Sequence, residues 1–246
     1  MNIQEYLIIN LNGTMSKILF TGGDGHLCSQ FKKENNPNFI FLNKEELDIT
    51  DEASIEYVFN NYEFDYLFHS AALSRPMIQH EESPNLSINV NIIGTSNLVM
   101  YCNTYGKKII YVSTDYVYSG TDNQHKESSA VKPTNKYSWS KLGGECAVHL
   151  CDKYLIFRLG MVEYPFPHSH AFTNVYKSSI WSDEIPTAIS PLLEKEGIYN
   201  IGGPSQSIYD FVKKRTPTIS ELKADVGVPK QISMNIEKIK RKDLDI

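Results

Sequence analysis

Residues 17–27 read KILFTGGDGHL, and this stretch decides the predicted fold. A short apolar run that ends in a cluster of glycines is typical of a buried parallel strand that opens into a tight turn. A helix should follow, from Gly25 towards Lys33. The predicted fold therefore begins with a strand, a glycine turn and a helix.

The alternation of strands and helices continues to about residue 160. Apolar runs separated by helical stretches predict further strands at residues 39–42, 66–69, 108–113 and 154–158. In the helix that begins at Pro84, we expect Leu86, Val90 and Ile93 to form the buried stripe. Since each right-handed crossover returns across a face of the sheet, the pattern predicts an α/β fold with a Rossmann-type, doubly wound parallel sheet.

Composition narrows the class of protein. With 246 residues, 41% of them hydrophobic, the chain is long enough to bury a full core. Its net charge of -5, with cations scattered among acids, argues against a nucleic-acid or membrane-binding surface. The four cysteines lack the spacing of a metal site or a disulfide framework, and no apolar run is long enough to span a bilayer. We expect a cytoplasmic protein with a small-molecule partner and no metal.

The glycine turn has the features of a phosphate-binding loop. Gly22 allows the tight turn, and Gly25 lets the backbone approach a pyrophosphate at the start of the helix. Cys28 takes the place of the usual third glycine. A glycine-rich turn alone is often plain structure, but its position after the first strand favours a dinucleotide site.

Residues after the second strand bear on the choice of cofactor. Asp48 and Ile49 could meet an adenine ring; alternatively, Asp48 only helps to start the helix near Thr50. An acid at the end of this strand would bind the ribose of NAD, whereas a cation would accept the 2′-phosphate of NADP. The sequence has Asn43 and Lys44 there, which favours NADPH and leaves NADH open.

Two Tyr-x-x-x-Lys spacings occur, at Tyr137 and Lys141 and at Tyr209 and Lys213. The first pair shares one face of a helix that follows a strand ending in hydroxyls, Ser113 and Thr114, whereas no such strand precedes Tyr209. We therefore interpret the second pair as ordinary helix surface.

The chemistry of a carbonyl reduction requires these residue types. A phenol has a pKa of about 10, and we expect the neighbouring ammonium of Lys141 to lower the pKa of Tyr137. Tyr137 would then give its proton to a carbonyl oxygen while Thr114, together with Ser113, donates hydrogen bonds to the same oxygen. Lys141 would also hold the nicotinamide ribose.

These motifs together resemble the extended short-chain dehydrogenases/reductases, and within them the dTDP-4-dehydrorhamnose reductases. The resemblance covers residues 17–162, and its most specific string is Ser-Thr-Asp-Tyr-Val at residues 113–117. It implies reduction of a 4-keto-6-deoxy sugar linked to a nucleotide, and a homodimer. Thr114, Tyr137 and Lys141 are then the catalytic set, and Thr114 and Asp115 touch the sugar.

The resemblance also assigns the residues that line the dinucleotide, and several of them are named above. The full set of expected cofactor contacts is Gly22, Gly25, His26, Leu27, Asp48, Ile49, Ala71, Ala72, Ser74, Tyr137 and Lys141. Residues 158–161 depart from the family string Arg-Thr-Ser-Trp, so Met161 stands where an aromatic substrate contact is expected.

Two other functions stay open on the same fold. The first is a nucleotide-sugar epimerase or dehydratase that recycles its nicotinamide. The second is a non-catalytic subunit, because the regulatory subunit of methionine adenosyltransferase is similar to the same reductases.

The predicted domain organisation follows from these assignments. Residues 15–160 form the dinucleotide-binding domain, and residues 161–246 form a small, shortened substrate lobe with a returning strand near 197–201. Residues 1–14, which precede a second methionine, are expected to be an N-terminal extension.

Overall fold

Six parallel strands form the main sheet of the computed structural model, which describes residues 16–225 and 228–240. The first part of the chain contains β1 Ile18–Thr21, α1 His26–Lys32, β2 Phe39–Leu42, α2 Glu52–Asn61, β3 Tyr66–His69, α3 Met77–Glu82, α4 Pro84–Ser87, a π-helix at Ile88–Gly94, α5 Thr95–Thr104, β4 Lys108–Thr114, α6 Lys136–Val148 and β5 Tyr154–Leu159. The second part contains β6 Met161–Val162, β7 His170–Phe172, β8 Tyr176–Lys177, β9 Ile180–Trp181, α7 Ile185–Ile189, β10 Gly197–Ile201, β11 Gln206–Ser207, α8 Ile208–Lys213, β12 Ser220–Leu222 and α9 Glu237–Lys240.

The strand order of the main sheet is β2-β1-β3-β4-β5-β10, and every neighbouring pair is parallel. This arrangement confirms the predicted doubly wound fold. The chain passes from β1 to β2 on one side and then crosses to β3 on the other, which opens a crevice at the carboxyl ends of β1 and β3.

Alternating side chains of the buried strands supply two separate cores. On one face, Leu19, Leu67 and Ile109 pack with α2 and α5. On the other face, Phe20 and Phe68 pack with α1, and α7 covers the same cluster. Both faces of the sheet are therefore covered by helices.

The predicted stripe on the helix after Pro84 holds only at Val90, which is half-buried and packs against the core. Leu86 and Ile93 are exposed, and the small polar residues Ser87, Asn91 and Thr95 face the core instead. The π-helical segment Ile88–Gly94 adds an extra residue to a turn, so the face that meets the sheet is displaced from the apolar spacing.

Residues beyond 160 form more structure than the sequence predicted. The expected strand near 197–201 is confirmed as β10, which joins the main sheet beside β5. Short pairs also form between β6 and β9, β8 and β11, and β7 and β12. The segment 228–236 packs beside β8, where the Tyr176 N–H donates to the Lys230 carbonyl.

The division at residue 160 stays a prediction, and the predicted extension at residues 1–14 lies outside the described residues. Within the described part of the chain, no helix is both long and apolar enough to cross a membrane.

Candidate active site

The glycine turn after β1 has no room for side chains at its glycine positions. Gly22 has a φ of 69°, a left-handed conformation that favours glycine, and a Cβ there would lie 2.9 Å from Ala71 Cα. A Cβ on Gly25 would lie 3.0 Å from the Gly22 carbonyl oxygen. Cys28, in the place of the third glycine, is fully buried with its thiol 3.2 Å from Ser70 Oγ. Bare backbone therefore faces the crevice.

Asn91 ties the loop after β3 to helix α6. Its side chain accepts from the Leu73 N–H at 2.8 Å and donates to the Leu73 carbonyl at 2.9 Å. It also donates to Ser140 Oγ at 2.8 Å, and Ser140 in turn donates to the Tyr137 carbonyl. One buried amide therefore fixes the predicted cofactor loop against the helix that carries Tyr137 and Lys141.

The predicted cofactor residues lie along the crevice, but they do not all present side chains to it. Leu27 and Ile49 are buried in the two cores, so only their backbone could meet a ligand. Ala72 is half-buried and Ser74 is exposed in the loop after β3.

The Asp48 carboxylate is already held within the protein. It accepts from the Thr50 N–H at 2.9 Å and from the Thr50 hydroxyl at 2.7 Å. Burial acts to raise its pKa, but these bonds and the Lys44 charge together lower the pKa. Asp51 rather than Thr50 caps α2, through a bond from the Ala53 N–H. Lys44 is exposed and lies 3.8 Å from Asp48.

His26, directly after the glycine turn, contacts residues from later segments of the chain. Its Nε2 lies 2.8 Å from Ser182 Oγ, and its Nδ1 lies 3.8 Å from the Glu163 carboxylate. Arg75, in the loop after β3, pairs with the same carboxylate. Three segments that are distant in sequence therefore meet beside the glycine turn.

The two hydroxyls at the end of β4 have different partners. Ser113 donates to the buried Glu145 carboxylate at 2.7 Å, and Glu145 pairs with Arg158. The expectation that Ser113 assists Thr114 is therefore wrong, because alternate residues of a strand point to opposite faces. Thr114 faces Tyr137, and its hydroxyl acts as a hydrogen-bond partner that lowers the phenol pKa.

Helix α6 begins with a capping box that sets the position of Tyr137. Asn135 Oδ1 accepts from the Ser138 N–H at 2.8 Å, and the Asn135 N–H donates to Ser138 Oγ at 3.3 Å. Tyr137 therefore lies in the first turn, half-buried, with the His80 ring packed edge-on at 5.1 Å between centroids.

The Tyr137 pKa moves opposite to the predicted direction. Burial raises it to about 12, and the Asp115 charge acts in the same direction. The Thr114 hydrogen bond and the charge of Lys177 act to lower it. Lys177, which the Tyr-x-x-x-Lys spacing does not indicate, is thus an ammonium that acts on the phenol.

Lys141 is buried against an aromatic face. Its Nζ lies 4.2 Å from the centre of the Tyr111 ring, and burial lowers its pKa to about 7 while Glu145 acts in the opposite direction. Among the described residues, no hydrogen-bond acceptor contacts this nitrogen. The amine therefore has donors available for a ligand.

Asp115 is fully buried, and Lys177 lies beside it. The Lys177 Nζ lies 3.0 Å from Asp115 Oδ2 and 4.6 Å from the centre of the Tyr116 ring. The carboxylate predicted to touch a sugar is thus engaged by a lysine from β8.

A cavity of about 320 Å³ opens at Tyr137. Its lining residues are Met77, Tyr116, Asn135, Tyr137, Val228 and Pro229. Met161 does not line this cavity; it is half-buried and packs against the core cluster that includes Ile180 and Phe157.

Sequence reasoning missed several of these groups. Lys177, Val228 and Pro229 lie in the irregular part of the chain, where no periodic pattern marks them. Asn91 did carry a signal, because Ser87, Asn91 and Thr95 repeat at the spacing of one helix face.

A comparison with protein families identifies the chain. A model described as the RmlD substrate binding domain matches residues 15–175. The chain belongs to the RmlD substrate-binding domain family. Lys177, Val228 and Pro229 lie beyond the matched residues.

Relatives of this RmlD-family chain have varied names. Methionine adenosyltransferase 2 subunit beta of Xenopus laevis is 36% identical over 145 residues, which are 58% of this chain and 42% of the relative. The dTDP-D-glucose 4,6-dehydratase of Dictyostelium discoideum is 29% identical over 270 residues, 81% of this chain and 61% of the relative. The chain thus spans less than two thirds of the length of these curated relatives.

Solved structures share the RmlD-like fold. The dTDP-4-dehydrorhamnose reductase of Bacillus anthracis in complex with NADP has a TM-score of 0.83 at 23% identity, over 94% of both chains. WbmG of Bordetella bronchiseptica in complex with NAD has a TM-score of 0.74 at 16% identity, over 94% of this chain and 89% of that one. The predicted family and fold are therefore confirmed, and structural neighbours bind NADP or NAD.

Proposed function

We propose that the chain is an NAD(P)H-dependent reductase of a nucleotide-linked 4-keto-6-deoxy sugar, with Tyr137 as the proton donor. The observation that carries this proposal is the grouping at one end of α6. The Tyr137 hydroxyl faces Thr114 and opens on a cavity, while one turn away the Lys141 ammonium contacts no acceptor among the described residues.

The crevice suits a dinucleotide. Gly22 and Gly25 leave backbone where a Cβ would collide, which is the shape that a pyrophosphate needs. Lys141 would hold the nicotinamide ribose, and the exposed Lys44 favours a 2′-phosphate, with NADH as the alternative. When bound, the reduced nicotinamide supplies a hydride to the carbonyl carbon.

The protein side chains serve the carbonyl oxygen. A phenol with a pKa of about 12 stays protonated at neutral pH, so Tyr137 holds the proton that this oxygen takes up. The Thr114 hydroxyl donates a hydrogen bond to the same oxygen as negative charge develops on it. Neither group requires a metal ion for this step.

The substrate class rests on the cavity and on the names of relatives. Met77, Val228 and Pro229 give the cavity an apolar part of its lining, which suits the methyl group of a 6-deoxy sugar. The Bacillus anthracis reductase and the Dictyostelium dehydratase are both named for dTDP-linked sugars.

The test is an assay of NADPH and NADH oxidation against a panel of 4-keto nucleotide sugars that differ in base and sugar. We expect one reduced cofactor consumed for each alcohol formed. Product that forms without net cofactor consumption would identify an epimerase or dehydratase instead. No consumption with any member of the panel would overturn the proposal.

A regulatory subunit is the second candidate, favoured by the similarity to methionine adenosyltransferase 2 subunit beta. It predicts co-purification with a methionine adenosyltransferase catalytic chain and no reductase activity. The presence of Thr114, Tyr137 and Lys141 in one site weighs against it.

A further inference from the structure

A buried cation lies at the wall of the Tyr137 cavity. Lys177 is 5% exposed, and it reaches from β8 to the end of β4. Its Nζ is held by the Asp115 carboxylate at 3.0 Å and by the face of Tyr116 at 4.6 Å. Tyr116 lines the same cavity as Tyr137, so the ammonium lies directly behind the cavity wall.

The charges around Tyr137 come from several packed elements. Thr114, Asp115 and Tyr116 face it from the end of β4, His80 packs on it from α3, and Lys177 faces it from β8. Burial lowers the pKa of His80, so that ring is neutral at neutral pH. On its own helix, Lys141 is turned to Tyr111. Lys177 is the cation among the largest influences on the phenol pKa.

Loss of a proton from Tyr137 would place a second negative charge close to Asp115. In a buried site, two like charges at short range disfavour each other strongly. A fixed ammonium removes this obstacle without movement during the reaction.

We propose that Lys177 is a positioning residue for the Tyr137 proton transfer, and that its ammonium, fixed by Asp115 and Tyr116, offsets the charge that develops on the phenol oxygen. This inference rests on the proposed reductase function. The proton passes from Tyr137 to the carbonyl oxygen while the carbonyl carbon gains a hydride from the reduced nicotinamide. The O–H electron pair stays on the phenolate, and water later restores its proton.

The test is a titration of Tyr137 in protein labelled with 3-fluorotyrosine, whose phenol is more acidic than that of tyrosine. The 19F resonance of residue 137 is identified by its loss in Tyr137→Phe. We expect Asp115→Asn to lower the Tyr137 pKa, and Asp115→Asn with Lys177→Met to raise it again by about one unit. Both variants lack the carboxylate, so neither leaves a buried carboxylate without its cation.

Controls separate an electrostatic role from a structural one. Lys213→Met, which removes the exposed lysine beside Tyr209, should leave the Tyr137 titration unchanged. In the Asp115→Asn background, Lys177→Arg should keep most of the rate at pH 7, whereas Lys177→Met should lower kcat by up to about tenfold, since a one-unit rise in pKa is a factor of ten in acidity.

The titration needs no substrate, so its failure differs from failure of the reductase proposal. If the Tyr137 titration is the same with and without Lys177, the role of Lys177 is overturned even in an active enzyme. If no keto sugar is reduced, the reductase proposal is overturned while the titration still reports on Lys177.

Discussion

The two Tyr-x-x-x-Lys pairs share a spacing and differ in almost everything else. On α8, Lys213 is exposed and donates to the Tyr209 hydroxyl at 3.0 Å. On α6, Tyr137 faces the cavity and Lys141 is buried against Tyr111. Lys213 and Tyr209 bond to each other, whereas the buried Lys141 amine and the half-buried Tyr137 hydroxyl retain hydrogen-bonding capacity for ligands. Direct contact within such a pair is therefore a poor sign of function.

The difference arises from what each helix packs on. Helix α6 lies on the main sheet, directly after the strand that carries Thr114. Helix α8 buries Phe211 and Val212 in a small third cluster and leaves its other face in solvent. The spacing places both side chains of a pair on one helix face, and the neighbouring strand decides what that face can do.

The largest expected difference between the two pairs is in kcat, when the phenol oxygen of each tyrosine is removed in its own variant. Tyr137→Phe should lower kcat by about 100- to 10,000-fold, the usual contribution of a positioned proton donor. Tyr209→Phe should leave kcat unchanged. Steady-state NADPH oxidation measures both, and equal rates for the two variants would remove the functional distinction between the pairs.

The ion pair near Lys141 should contribute far more to the stability of the protein than the ion pair near Lys213. Glu145→Gln removes the carboxylate that pairs with the buried Arg158, which then keeps only neutral acceptors such as the Tyr118 hydroxyl, and we expect the free energy of unfolding to fall by about 3–5 kcal/mol. Asp183→Asn, which breaks one bond to the partly exposed Arg215 after α8, should cost less than about 1 kcal/mol. Urea denaturation checks both values, and a small loss in Glu145→Gln would show that α6 does not depend on this pair.

Loss of the lysine amine should affect cofactor binding only on α6. Lys141→Met should weaken NADPH binding by about 10- to 100-fold, because a charged hydrogen bond contributes about 1.5–3 kcal/mol. Lys213→Met is the matched control and should bind normally. Fluorescence titration of NADPH gives both dissociation constants; an unchanged value for Lys141→Met would contradict the ribose contact.

The smallest effect is a pH dependence of that binding. The Lys141 pKa is about 7, so the charged amine predominates below that pH and the weaker neutral donor above it. We expect the NADPH dissociation constant to rise with pH, by at most about tenfold per unit above 7. The slope should disappear in Lys141→Met, and a flat wild-type profile would show that the amine charge does not contribute.

Much of the fold follows from local sequence. The strand and glycine turn at residues 17–27 and the helix that carries Tyr137 are short-range patterns, and the structure has both. The stripe of Leu86, Val90 and Ile93 held only at Val90, and a π-helical turn changes the period of the helix before Ile93. No sequence rule marks where such a turn occurs.

The site was only partly predictable for a different reason. Thr114 and Tyr137 belong to regular elements, so their proximity follows from sheet topology. Lys177 and Pro229 reach the cavity from irregular segments, through contacts between residues that are far apart in sequence. The partner of Ser113 depended on a buried carboxylate on the facing helix, which periodicity alone does not reveal.

The π-helical segment also makes the chain sensitive to length. A π-helical turn holds one residue more than an α-helical turn, so deleting one residue from Ile88–Gly94 would leave an ordinary α-helix with the flanking turns in place. The residues within the segment would then take new directions, and Asn91 would keep its bridge between Leu73 and Ser140 only where the deletion leaves it on the same face. A gap of one residue in a related sequence thus bears on the contact between the cofactor loop and the catalytic helix, and not on the register of the helices that flank it.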